Sequence, residues 1–252
     1  YIGYGSDTEN QKWLLDDLSV YRNTITSTEI AVPKKGGDSS VEGGELYPGQ
    51  VFFSDFEREN DGTTIYGKGG FIDFGGNFGR VFQNVGGAQR SNYLILPEDV
   101  LSHSAETKEL SIGVWVNAAN AGASADYMWA PLFSAYASGP ATDNGTPMFI
   151  CQYRGILQVN CNGWCDFTDA QNVAGTNGVY HDATDWLADK GWHYYTVTLT
   201  ETNAKVYFDG VLKNEWNVSG SGDGNVIGGL FSNGSDLKYI CLGGNQAWNW
   251  GD

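Results

Sequence analysis

Apolar and polar residues alternate with a period of two along residues 111–116, 147–153, 156–160, 193–199, 205–208 and 238–242. That period puts successive side chains on opposite faces of an extended chain, so each segment predicts a β-strand. Between them stand turn formers such as Tyr153-Arg-Gly155 and Phe208-Asp-Gly210, short enough to close hairpins and make neighbouring strands antiparallel. Helical signals are confined to two short stretches. One follows Thr26, where Thr26-Ser-Thr-Glu29 has capping-box spacing, and the other lies at residues 183–188. The pattern predicts an all-β protein built as a sandwich or jelly roll of two antiparallel sheets.

Residues 32–48 break the alternation. Their Lys, Gly, Ser and Glu carry no apolar period, which marks a linker between a head, residues 1–31, and a body, residues 49–252. One or two strands bury too little surface to offset their ordering entropy, so the head must pack on something else. An internal echo points to the partner. Tyr1-Ile-Gly-Tyr-Gly-Ser6 resembles Tyr239-Ile-Cys-Leu-Gly-Gly244, and after the first copy the chain runs on through Trp13-Leu-Leu-Asp-Asp-Leu-Ser-Val-Tyr21. After the second copy it stops at Asp252, where such a strand is next due, so the head carries a closing strand that the body lacks. The first residue, Tyr1, follows no basic-then-apolar leader, and the ends read as those of a processed or excised piece.

Composition narrows the functional classes. The 252 residues suit one domain, and 35 Gly, 14 Tyr and 9 Trp fit many short strands joined by tight turns. A net charge of −16 repels phosphate backbones and anionic lipid, so nucleic acid and acidic membranes are not expected partners. No apolar run reaches the length of a membrane-spanning helix, so no membrane insertion is expected. Cys151, Cys161, Cys165 and Cys241 fit no zinc spacing; Cys161 and Cys165 either form a disulfide or remain thiols. Asn144, Asn217 and Asn233 stand in glycosylation sequons.

Five motifs together resemble laminin G-like, concanavalin A-type jelly-roll modules of bacterial surface and secreted proteins. They are Phe78-Gly-Arg-Val-Phe82 with Asn92-Tyr-Leu-Ile-Leu-Pro97, Ile112-Gly-Val-Trp-Val116, Gly191-Trp-His-Tyr-Tyr-Thr-Val-Thr198, and Val206-Tyr-Phe-Asp-Gly210. The fifth, the family's closing motif, is matched by residues 15–25 with Glu29 and Ile30, placed before the body instead of after it. The resemblance spans nearly all of the head and the body. It implies a jelly roll closed by residues 12–21, in its own chain as a circular permutant, from a tandem neighbour, or by exchange between copies. An extracellular or cell-surface location goes with it.

The resemblance also frames the chemistry. Glycoside hydrolases of this architecture carry a Glu-x-Asp-x-x-Glu strand motif; this chain has none, and Glu57, Glu59, Asp182 and Asp185 are the nearest substitutes. His103, His181 and His193 are widely separated, and no nucleophile elbow or phosphate loop is present, so no enzyme is expected. Modules of this type often hold one calcium ion where the first and last strands meet. Asp16 and Asp55 match those acidic positions, and a loop carbonyl near Gly79 would add to them; otherwise these aspartates cap turn amides. Ligand recognition is read from loop aromatics. Tyr127, Trp129, Trp164 and Trp186 lead, with Trp248 and Trp250 further candidates, whereas Trp115 and Trp192 are placed in the core. Flat aromatic faces beside Asn, Asp and Tyr are what sugar rings stack on, so a glycan or surface ligand is the expected partner. The alternatives are a structural or adhesin repeat that assembles with neighbouring copies by sharing strands, and a glycoside hydrolase-like domain.

Overall fold

A computed structural model describes residues 12–25, 49–57, 62–85, 92–120, 131–136, 148–152, 157–160, 164–167, 191–217, 231, 237 and 239–243. Along this path run strands β1 (Lys12–Tyr21), β2 (Gln50–Ser54), β3 (Thr64–Tyr66), β4 (Gly70–Asp73), β5 (Arg80–Val85), β6 (Tyr93–Ile95) and β7 (Glu109–Asn120). They continue as β8 (Pro131–Tyr136), β9 (Met148–Gln152), β10 (Leu157–Asn160), β11 (Trp164–Phe167), β12 (Trp192–Thr200), β13 (Asn203–Phe208), β14 (Val211–Asn217) and β15 (Tyr239–Leu242). A single helical turn, α1 (Ser104–Thr107), leads into β7, and both stretches with predicted helical signals lie outside the described residues.

The strands form two antiparallel sheets. One has the order β14-β13-β12-β7-β1-β5-β4, with β2 also paired to β1; the other has the order β11-β10-β9-β8-β15-β6-β3. Their facing sides share one core, in which Leu15, Phe82, Ile112, Val114 and Val197 of the first sheet meet Leu94, Phe133, Ala135, Ile240 and Leu242 of the second. The protein is therefore all-β, with its apolar alternation spent on the space between two sheets. No helix among the described residues is long and apolar enough to cross a membrane.

Local chemistry sets the connections. Asp209 and Gly210 both take positive φ, 51° and 76°, which is the two-residue turn that joins twisted strands without splaying them, here β13 to β14. Gly113 in β7 lies beneath the hydroxyl end of Tyr194, so any Cβ there would collide with the ring. Gly243 closes β15 by donating its N–H to the carbonyl of Leu132 at 2.7 Å, and its own carbonyl accepts from Asn84 Nδ2.

β1 occupies the middle of the larger sheet, between β5 and β7 of its own chain. Leu15 faces the core, and so do Leu18 and Val20, a spacing that a regular strand cannot provide. The extra residue is absorbed where Asp16 opposes Trp115 and Ser19 opposes Gly113, three steps on β1 against two on β7. Asp17 takes φ 46° at that β-bulge.

Candidate functional site

The bulge changes the partner of β1. Before it, Lys12–Leu15 pair with Phe82–Val85 of β5; after it, Leu18–Tyr21 pair with Gln50–Ser54 of β2. The sheet forks at Asp16 and Asp17, and acidic residues gather around the opening. Asp16 is fully buried, and its Oδ1 accepts the N–H of Asp17 at 3.0 Å. Asp55 follows β2, and its Oδ1 accepts the N–H of Glu57 at 3.1 Å. Glu57 Oε1 in turn accepts the N–H of Arg80, the first residue of β5, at 2.8 Å. Burial pushes the Asp17 carboxyl up to about 7, and the negative charges of Asp55 and Glu57 add to the effect.

Three of the sequence-chosen positions, Asp16, Asp55 and Gly79, thus border one fork, but not with equal aptitude for an ion. The Gly79 carbonyl already accepts N–H bonds from Phe74 at 2.7 Å and Gly75 at 3.2 Å, which occupies both of its lone pairs. Glu57, whose carboxylate lies where a Cβ on Gly79 would be, is the better-placed oxygen donor. Asp17 and Glu57 raise the local negative charge more than the sequence reading assigned. Among the described residues no three acidic, His or Cys side chains converge at metal-ligand spacing. The turn-amide role weighed for these aspartates is also present, in the Asp16 and Asp55 bonds above. Mutual repulsion among Asp17, Asp55 and Glu57 is the feature of the fork that fits a cation.

A second concentration of chemistry covers the outer face of the larger sheet. Trp115 and Trp192 were expected in the core; Trp115 is buried and Trp192 half-buried, but both stand on the opposite face from Val114 and Val116, outside the apolar cluster between the sheets. Asp16, Trp115 and Tyr194 lie in one register row across β1, β7 and β12, while Leu14, Asn117 and Trp192 form the next. The loop between β4 and β5 folds over this surface. Its Phe78 ring stacks on Trp192 at 4.0 Å between centroids and 10° between planes, and meets Trp115 edge-on at 5.8 Å. Phe74 packs edge-on against Trp192 at 5.5 Å while remaining 45% exposed. No family model, curated protein or solved structure matches this chain.

Of the loop aromatics singled out in the sequence, Tyr127, Trp129 and Trp186 lie outside the described residues, as do Trp248, Trp250, Cys161 and His181. Trp164 opens β11 opposite Asn160 of β10, in the smaller sheet and thus apart from the outer-face cluster. Cys241 is buried in β15. His193 is buried at the end of the core. Its Nδ1 lies 2.7 Å from Asp209 Oδ2, its ring stacks on Phe208 at 4.5 Å, and Asp209 Oδ1 also accepts the N–H of Tyr194 at 2.8 Å. This pair ties the turn after β13 to β12.

Proposed function

We propose that this chain is a non-catalytic recognition module of a bacterial surface or secreted protein, a jelly roll of the laminin G-like type that binds carbohydrate through aromatic side chains. The observation that carries the reading is the aromatic surface on the larger sheet, where Phe78 stacks face to face on Trp192 beside Trp115. A sugar ring presents an apolar C–H face to the same kind of platform, and a strongly acidic chain selects neutral glycans over anionic ones. The loop candidates Tyr127, Trp129, Trp164 and Trp186 remain part of the proposed reading. Its test is a glycan array followed by calorimetry on the intact chain. Binding of neutral saccharides is expected, and a folded protein that binds none overturns it.

We also propose the structural calcium ion expected at the fork beside β1, held by Asp16 and Asp55 with backbone carbonyls rather than by three acidic side chains, since no such trio converges there among the described residues. The ion would neutralise the clustered charge and pin β2 and β5 to β1. The raised Asp17 carboxyl favours a second reading at the same place, a glycosidase-like acid paired with Asp55 or Glu57. Release of reducing ends from a polysaccharide panel, lost in Asp17→Asn, would select it over the binding module. The third reading, strand sharing between copies, would seat the same β1 between β5 and β7 of a neighbouring copy.

A further inference from the structure

We propose that Phe78 is a built-in plug on a saccharide site of the outer sheet face: the loop of residues 74–79 swings away, and a neutral pyranose ring takes the place of the Phe78 ring on Trp192. This inference rests on the carbohydrate reading and gives it a location that the loop aromatics did not mark.

Three observations meet there. The first is the stack itself, a ring lying parallel on Trp192 at 4.0 Å, the arrangement a sugar adopts on an indole. The second is a pair of donors with nothing to donate to. The Nε1–H groups of Trp115 and Trp192 are both buried and have no hydrogen-bond partner, and Trp115 as a whole is only 8% exposed. Buried donors are almost always satisfied, and both of these belong to rings that touch Phe78. A phenyl ring offers them no acceptor; the ring oxygen and hydroxyls of a pyranose do.

The third observation is the construction of the loop. Phe74 and Gly75 donate to the Gly79 carbonyl and Phe78 donates to Gly75, three bonds that lie within the loop and can travel with it. Gly75, Gly76 and Gly79 flank Phe78 with φ of 76°, 61° and 47°, conformations that side-chain-bearing residues resist and hinges exploit. Glu57, bonded to the N–H of Arg80, holds the base of the loop in place.

Indole N–H resonances of the intact ¹⁵N-tryptophan-labelled protein, assigned with Trp115→Phe and Trp192→Phe, provide the test. Without ligand, both protons should exchange by local opening, faster than global unfolding permits, and Phe78→Ala should speed exchange by about tenfold or more. Exchange at the global rate alone would show that the plug does not move and would overturn the proposal. With methyl glucoside, galactoside and mannoside as probes, both indole signals should shift, and Phe78→Ala should bind about tenfold tighter because the competing closed state is gone. Trp192→Ala should lose the response. If Phe78→Ala leaves saccharide affinity unchanged while Trp164→Ala abolishes it, carbohydrate binding stands and this site falls. If no saccharide shifts any indole in wild type or Phe78→Ala, both readings fall. Binding of indole or phenol with no sugar response would overturn the pyranose assignment. Should Phe78→Ala fail to melt cooperatively, Phe78→Leu keeps apolar cover without the stack and carries the same expectations.

Discussion

Asp17 has an unusual sign in its contribution to stability. Its folded carboxyl titrates near 7, above the ordinary 3.8, because burial and then the charges of Asp55 and Glu57 penalise ionisation. Between those values the folded state binds the extra proton, so stability is full below about pH 4 and falls as pH rises towards 7. At about 1.4 kcal/mol per pH unit, and discounted for solvent reaching the fork, the loss is on the order of 2–3 kcal/mol. In chelator, Asp17→Asn should therefore melt above wild type at pH 8 and level with it at pH 4; equal melting at pH 8 would refute the charge cluster. His103 runs the other way. Burial holds its imidazole below the ordinary 6.5, with Arg22 assisting and the Tyr21 and Val100 carbonyls opposing. Its neutral form is what the fold accepts, so the stability it contributes is complete above 6.5 and declines as pH falls below it. Urea midpoints at pH 7.5 and 5 should converge in His103→Gln relative to wild type. A third residue, Gly113, offers a steric test: Gly113→Ala puts a methyl group onto the Tyr194 hydroxyl and should cost about 1–3 kcal/mol, partly recovered with Tyr194→Phe.

At the level of strands and turns, what sequence could reveal depended on whether burial was one-sided. Leu15 does not share the parity of Leu18 and Val20, and the bulge at Asp16 and Asp17 is what returns all three to the one core face. Asp209-Gly210 specified its own turn through the positive φ it tolerates. Trp115 is buried as expected, yet its place and that of Trp192 outside the inter-sheet cluster were not legible, for a physical reason. In β12 every residue from His193 to Leu199 is buried, so a period of two separates the faces without saying which is the interior. β14 was not legible because it is an edge strand, with Val211 and Leu212 more than 40% exposed and a register shift opposite its start. In the short β4, Gly70 opens the strand beside Gly69, whose place against the Phe82 ring leaves no room for a side chain. Of the candidate site, the aspartates of the fork were readable from the motif they occupy. The aromatic surface was not, since Phe74 and Phe78 reach Trp192 only through a glycine loop whose path no periodicity encodes.

Over the whole molecule, the position of β1 makes residues 12–21 indispensable. β1 is hydrogen-bonded along both edges, to β7 on one side and to β5 and β2 on the other, and it supplies Leu15, Leu18 and Val20 to the shared core. Burying one such side chain contributes about 1.5–3 kcal/mol. Each backbone group of β5 and β7 left buried without a partner costs about 1–3 kcal/mol more. Removing the strand forfeits several of each, which is comparable with the whole 5–15 kcal/mol that holds an ordinary domain together. Deleting residues 1–31 should therefore give aggregation or a transition without cooperativity, and the same segment supplied as a peptide should restore solubility and a sharp melt. Because β1 sits in its own chain, the intact protein should elute as a monomer at all concentrations; a concentration-dependent dimer dissociated by excess free peptide would show exchange between copies instead. A truncated body that remains monomeric and melts as sharply as the full chain would mean that β5 and β7 need no strand between them, and the architecture described here would be wrong at its centre.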